Sequence, residues 1–588
     1  MAHYYTDERN AQIVLALMKK HGIRRVIASP GTTNICLVAS MQQDPWFEMY
    51  SAPEERSAAY MACGLAAETG EPVALSCTGA TASRNYLPGL TEAYYRKLPV
   101  LAITSSRRSE RIGHLFDQVT DRTQLPRDAA RLSVTLPLVI DHEKEWACVI
   151  AANRAMLELR RAGGGPVHIN LETDYSRNYE TRELPDIRAI FRVYPGDELP
   201  DLRANKIAVL VGGHLPWTDS QTEALDAFCA RYPAAVLCDH TGNYHGKYRV
   251  QANLLGQQKY YDTVIRSADL VIHIGEVLAP AFNVRTEKVW RVSPDGELRD
   301  PFHKLRYVFE MAEEDFFSAY AQKAGPAAEN PFFEACRRER EALMEALPET
   351  AERLPFSNAW AAYKTAPRLP EKAELHLGIQ NSLRFWNFFE TPETVRCFSN
   401  TGGFGIDGSL SSLIGASLTH PDRPYFCVLG DLAFFYDMNS LGNRHAGSNL
   451  RILLVNNGRG TEFRLSGNPG SLFGDDADRL IAAAGHYGQK SPDLVRHYAQ
   501  DLGFEYLTAS DKESFEAALP RFLKADVSGK PLLFEIFTRS EDEDRALSVL
   551  RETLTDEKLM NRHRAGEAVK SLLGEKGVRQ VKKLFGGK

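Results

Sequence analysis

The sequence predicts an α/β protein built on three doubly wound parallel sheets. Three observations carry that expectation. The 588 residues are too many for one hydrophobic core, at roughly 100–200 residues per domain. Short apolar runs closed by glycine or a polar residue alternate with amphipathic stretches, the rhythm of βαβ units. That rhythm falls into three blocks separated by changes of pattern.

In the first block, AQIVLALMKKHG (11–22) has the apolar spacing of a helix and stops at a glycine. RRVIASPG, PVALSCTG and LPVLAITS then predict three buried strands. The second block begins near Lys206, where IAVLVGG and ADLVIHIG predict strands and DSQTEALDAFCARY a helix between them. The charged helical stretch FFEACRREREALMEAL leads through PETAERLP into the third block near Ser357. There CFSNTGGFGIDG, YFCVLGDLAFF and LRILLVNNGRG each run from strand to polar loop, and the block ends at PLLFEIFTRS (531–540). We place domain boundaries at 1–185, 186–350 and 351–545, with a helical tail at 546–588. The first and third blocks look alike without being a sequence repeat.

Composition narrows the function classes. Lys+Arg 70 against Asp+Glu 76 gives −6, which is no polyanion-binding balance, so nucleic acid is not an expected partner. No run approaches the ~20 apolar residues of a membrane span, and MAHYYTDERN lacks a signal pattern. The 9 cysteines form no C-x-x-C pair, which predicts reduced thiols rather than a disulfide framework or a thiolate zinc centre. A cytoplasmic enzyme is the expectation.

The strongest local signal is Gly430-Asp431 followed, 25 to 26 residues on, by Asn456-Asn457-Gly458. Gly-Asp alone reads as a turn. Here both pairs close apolar strands, so a carboxylate and an amide oxygen meet at the carboxyl edge of a parallel sheet, where ligands bind in such folds. These are hard oxygen donors, suited to Mg²⁺ with a diphosphate. The helix that LAFFYDMNSLGNR begins would offer its N-terminus to phosphate oxygens. In the first block, EERSAAYMACGLAAETG puts Glu55 in the first turn of a helix just after a strand, with Glu54 competing for any role.

On these segments the chain resembles the thiamine diphosphate-dependent 2-oxo acid decarboxylase and carboligase superfamily over residues 5–540. The matching stretches are SPGTTN, EERSAAYMACGLA, CTGATASRNYLP, SNTGGFGIDG, GDLAFFYDMNSL and LLVNNGRG. Within the superfamily it resembles the menaquinone-pathway family of 2-succinyl-5-enolpyruvyl-6-hydroxy-3-cyclohexene-1-carboxylate synthases. The resemblance implies pyrimidine-binding, central and diphosphate-binding domains, and thiamine diphosphate and Mg²⁺ as cofactors. It makes Glu55 the acid that hydrogen-bonds the pyrimidine ring and activates the cofactor. Asp431, Asn457 and the Arg459 carbonyl fall on the metal positions. Thr78, Phe404, Ile406, Gly430 and Leu432 fall on further cofactor positions, Ile406 as the bulky prop and the Phe404 carbonyl as an acceptor. It also implies a homodimer or homotetramer with active sites between subunits, Glu55 serving the cofactor held by Asp431 of the partner subunit.

The substrate positions match less well. Arg107 and Gln118 agree with the synthase pattern. Its Ser-Arg is Thr32-Thr33 here, and a Lys-Arg pair is missing from GEVLAPAFN (275–283). One arginine is replaced at Trp386, with Arg384 two residues earlier, and another is Thr401. Glu462 occupies an apolar position. Losing guanidiniums removes bidentate carboxylate recognition, and Glu462 adds negative charge. Arg107, Gln118, Glu462 and Arg384 are therefore the candidate substrate contacts. The expected reaction is decarboxylation of a 2-oxo acid and transfer of the acyl-anion equivalent to an acceptor less anionic than isochorismate. Three alternatives stay open: the synthase activity itself, an acetolactate-synthase-like enzyme or simple decarboxylase, and a catalytically silent cofactor-binding subunit. VGGH (211–214) lacks G-x-G-x-x-G and reads as a strand-end turn.

Overall fold

The computed structural model describes residues 4–277, 284–327, 329–563 and 565. It is an α/β architecture with three parallel sheets. Two compact units form, one of Met1–Asp197 with Asp295–Glu310 and the other of Glu198–Pro294 with Met311–Lys588.

In the first unit six parallel strands lie in the order Glu48–Ser51, Arg25–Ala28, Val73–Thr78, Val100–Ser106, Val167–Glu172, Leu132–Leu136. Successive side chains on a strand point to opposite faces, and both faces here are buried. Val26, Ala74, Leu101 and Ile103 join the apolar layer beneath the helix Arg9–Lys20, with Ile13 and Leu17. Ile27, Leu75, Val100 and Ala102 join the opposite layer with Ala58, Ala62 and Leu90 from the helices Glu55–Thr69 and Leu87–Tyr95. Strands buried on both faces cannot alternate polar and apolar, which is why they read in the sequence as continuous apolar runs. A short parallel pair, Phe191–Val193 with Leu305–Phe309, belongs to the same unit.

The second unit carries two parallel arrays. One runs Arg249–Gln251, Ala234–Cys238, Ile207–Val211, Leu270–Ile274, Val289–Val292. The other runs Arg396–Phe398, Glu374–Leu377, Tyr425–Gly430, Leu450–Asn456, Leu532–Phe537, Glu505–Ala509. Numbered along the chain, the strand order of this last sheet is 2-1-3-4-6-5, and that of the first unit's sheet is the same. The likeness seen between the first and third sequence blocks is therefore a shared topology.

VGGH closes Ile207–Val211 as a turn in which Gly212 is sterically required. A Cβ on Gly212 would lie 2.1 Å from the Glu276 carbonyl oxygen, and one on Gly275 2.9 Å from the Gly212 oxygen. Two strand ends touch there, and only hydrogen side chains permit it. All nine cysteines are buried and unbridged. No helix among the described residues is long and apolar enough to cross a membrane. Of the C-terminal tail, residues 564 and 566–588 lie outside the described residues, as do 278–283 of the GEVLAPAFN segment.

Candidate active site

Asp431 is the first residue of the helix Asp431–Asp437, directly after the strand Tyr425–Gly430. It is buried, and burial pushes its carboxyl up to about 6 against the pull of backbone N–H donors. Leu432 N–H donates to Oδ1 at 2.8 Å and Gly458 N–H to Oδ2 at 2.6 Å. Gly458 holds φ at +74°, a left-handed turn that brings its N–H under the carboxylate.

The two asparagines that close the next strand do different things. Asn456 is structural: its Nδ2 donates to Glu535 Oε1 at 2.7 Å, and Glu535 in turn accepts from Tyr506 Oη. Asn457 lines the same cavity as Asp431, and its Oδ1 is buried with no hydrogen-bond donor among the described residues. A buried, unspent amide oxygen costs about 1–3 kcal/mol unless something pairs with it. Beside a desolvated carboxylate, a cation would be a fitting partner. The Arg459 carbonyl already accepts from Thr461 N–H at 2.9 Å and keeps a second lone pair, while the Arg459 side chain turns away to Asp478. An oxygen-only set of this kind fits Mg²⁺ rather than a nitrogen- or sulfur-seeking metal.

The cavity is about 340 Å³, and Phe404, Ile406, Gly430, Leu432 and Glu462 also line it. Ile406 packs on the apolar core below, and Phe404 is held at φ +53°. Arg384 does not reach the lining. It clamps Glu462 from behind in a bidentate pair at 2.8 and 3.0 Å and also donates to Asn381 Oδ1. The negative charge that Glu462 contributes is thus matched by the guanidinium, and Arg384 is already spent.

The remaining predicted residues sit in the first unit. Glu54 and Glu55 separate clearly. Glu54 is the N-cap of the helix Glu55–Thr69, accepting from Arg56 N–H at 3.1 Å and Ser57 N–H at 2.8 Å. Glu55 makes no hydrogen bond among the described residues, and its charge helps push up the buried Cys77 thiol. Thr78 ends its strand with its hydroxyl against Thr33, which itself donates to the Ser105 carbonyl. Thr33, where the synthase pattern has arginine, is thereby a buried brace at 2% exposure. Arg107 lies over the Tyr175 ring, donates to the Tyr175 hydroxyl at 2.9 Å and pairs with Asp117 at 3.0 Å. Gln118 is exposed, at φ +57°.

Sequence reading missed Glu543. It lies on the helix Ser540–Leu550, lines the Asp431 cavity, and is 1% exposed. Both its oxygens accept from Asn358 N–H, at 2.9 and 3.1 Å, and burial drives its carboxyl up to about 7. The signal was present: 543, 546, 547 and 550 share one helical face, and the other three residues are apolar.

Family comparison agrees with this layout. Residues 9–125 match the thiamine pyrophosphate enzyme N-terminal TPP-binding domain, and residues 380–536 match the C-terminal TPP-binding domain. The chain is 31% identical over 579 residues to a 2-succinyl-5-enolpyruvyl-6-hydroxy-3-cyclohexene-1-carboxylate synthase of Bacteroides fragilis, covering 92% of this chain and 98% of that one. The chain belongs to the thiamine pyrophosphate enzyme family. Its similarity to proteins of the same synthase name extends to Bacteroides thetaiotaomicron, at 30% over 92% of this chain and 98% of the relative. A Cytophaga hutchinsonii protein of that name is 27% identical over 88% of this chain and 94% of its own length. Within this thiamine pyrophosphate enzyme, Glu55, Thr78 and Arg107 fall inside the N-terminal match. Every cavity residue except Asn358, Ile379 and Glu543 falls inside the C-terminal one.

Proposed function

We propose that this thiamine pyrophosphate enzyme decarboxylates a 2-oxo acid and transfers the acyl-anion equivalent to an unsaturated ring carboxylate. Its full-length relatives are named 2-succinyl-5-enolpyruvyl-6-hydroxy-3-cyclohexene-1-carboxylate synthases, and a product of that ring-carboxylate class is what this reading assigns. The observation that carries the reading is the unspent Asn457 Oδ1 beside buried Asp431, which fits the chain for a metal-bound diphosphate. When bound, thiamine diphosphate supplies the electron sink that allows CO₂ to leave. Asp431, Asn457 and the Arg459 carbonyl would hold the metal, and Ile406 and Leu432, which line the same cavity, would help exclude water around it. Glu55 would hydrogen-bond the pyrimidine ring. Arg107, kept rigid by Tyr175, offers charge to a substrate carboxylate.

One observation favours a second reading, in which the acceptor is less anionic. Thr33 and Thr401 stand where the synthase pattern places arginines, and Arg384 is committed to Glu462. The Arg384–Glu462 pair also weakens that reading, because the added carboxylate is neutralised in place.

The deciding experiment supplies purified full-length protein with thiamine diphosphate, Mg²⁺ and 2-oxoglutarate, with and without isochorismate, and follows CO₂ and product. Loss of isochorismate with stoichiometric CO₂ supports the first reading. CO₂ release indifferent to isochorismate moves the assignment to another acceptor or to simple decarboxylation. Failure to bind thiamine diphosphate would defeat both, and binding without turnover of any 2-oxo acid would mark a silent subunit.

A further inference from the structure

Away from that cavity, the first unit carries a set of nitrogen and oxygen donors with no assigned task. His142 and Glu143 are the first two residues of the helix His142–Glu158, and His303 lies in the loop before the strand Leu305–Phe309. One ligand atom from each of the three lies within 4.8 Å of the other two. None of these side chains hydrogen-bonds or ion-pairs with another described residue, so their donor atoms are not committed elsewhere.

The loop that presents His303 is built firmly. Asp300 is its anchor: Oδ1 accepts from Lys304 N–H and Leu305 N–H, both at 2.8 Å, and Oδ2 accepts from Trp146 Nε1 at 3.1 Å. Arg188 closes the same carboxylate at 2.8 Å. His303 N–H donates to the Asp300 carbonyl at 3.1 Å, and the residue sits at φ +56°. That left-handed conformation costs a histidine of order 1 kcal/mol and needs a surrounding structure that imposes it. The imidazole is then pinned flat on Trp146, with ring centres 4.2 Å apart and planes 9° apart, and it faces His142 at 6.1 Å and 15°. Trp146 is one helical turn beyond His142, so the helix that offers two donors also orients the third.

We propose that His142, Glu143 and His303 form a peripheral site for a divalent transition-metal ion of the Zn²⁺ class. Two imidazole nitrogens and one carboxylate oxygen make a three-ligand set that leaves a position for water. This donor chemistry differs from the Asp431 cavity, whose oxygens suit a hard cation, so the two sites separate by metal type. Absence of a C-x-x-C pair excludes only thiolate zinc centres, and the nine thiols are buried and offer no competing surface ligand. A bound ion ties the start of the helix His142–Glu158 to the Asp300 loop, two segments far apart in the chain.

The test uses the untagged full-length chain, saturated with thiamine diphosphate and Mg²⁺, in equilibrium dialysis against Zn²⁺ and separately Co²⁺. The wild type should bind one equivalent more than His142→Ala/His303→Ala, and Co²⁺ should give the visible absorption of a low-symmetry nitrogen–oxygen site. Glu143→Gln should keep the stoichiometry and bind at least about 10-fold more weakly. Zn²⁺ should raise the unfolding temperature of the wild type and not of the double variant. His142 is exposed, so His142→Ala alone provides a folded variant if the double one is unstable. Equal stoichiometry and affinity in wild type and His142→Ala would overturn the assignment.

Discussion

Two sheets with one strand order, 2-1-3-4-6-5, present different side chains at the same address. After the third strand the first sheet places Thr78, braced on Thr33, and the C-terminal sheet places Gly430 and then Asp431. After the fourth strand the first sheet places Arg107 and the C-terminal sheet Asn457. One edge therefore ends in an arginine and an unengaged Glu55, the other in a buried carboxylate and an unspent amide oxygen. Topology fixes where a ligand can sit; the side chain after the strand fixes which charge it meets.

That contrast can be broken most severely at Asp431. Asp431→Asn removes the charge that a diphosphate-bound cation needs, so binding of thiamine diphosphate with Mg²⁺ should vanish, as followed by quenching of intrinsic fluorescence. Glu55→Gln should act at the other edge without that loss: turnover should fall roughly 10²–10⁴-fold while the cofactor still binds. If both substitutions abolish cofactor binding alike, the division of labour between the edges is wrong.

Glu543 sharpens the comparison, because it gives the cavity at the C-terminal edge a second buried acid. Its carboxyl stands at about 7 in the folded chain, against an ordinary 4.5. A raised acid stabilises the fold in its protonated form. That contribution is complete below about pH 4.5 and is lost as pH rises through 7, on the order of 3 kcal/mol in all. Denaturant titrations of the wild type should show this decline between about pH 4.5 and 7, and Glu543→Gln should make it shallower. A decline of the same slope in the variant would assign it to other groups.

Smaller effects follow at the Arg384–Glu462 pair, whose side chains are only 18% and 23% exposed. Arg384→Ala should cost about 1–3 kcal/mol by leaving Glu462 unpaired. The double variant with Glu462→Gln should recover most of it, as measured by a thermodynamic cycle. Thr33→Val should have the least effect, a loss of about 1 kcal/mol from the hydroxyl chain to Ser105.

Much of this architecture was legible in the sequence for one physical reason. Strands buried on both faces appear as unbroken apolar runs, and the glycine or polar residue that ends each run marks the sheet edge. Asp431 and Asn457 were found because they stand at those ends. Glu54 competes with Glu55 at that helix start, since capping depends on backbone angles that spacing does not encode, and the structural bond of Asn456 to Glu535 has no local signature. Glu543 escaped because it comes from the last helix, far from any strand end, and reaches the cavity only through tertiary packing. The bidentate Arg384–Glu462 pair, 78 residues apart in the chain, was likewise beyond reach of local pattern. Read separately, Arg384 stands as a nearby arginine for the one replaced at Trp386 and Glu462 as an extra anion; paired, their charges cancel.

The cysteines have a use that no ligand enters into. Cys77 lies in the first sheet, Cys238 in the central array and Cys427 in the C-terminal sheet, each on a strand. Burial pushes the Cys77 thiol up to about 12 and the Cys238 thiol to about 11, so neither reacts while its sheet is closed. An alkylating reagent can touch them only after a strand has been released from its neighbours. Mass spectrometry of the tagged peptides over time would then give each sheet its own opening rate, and the chain already carries every probe required.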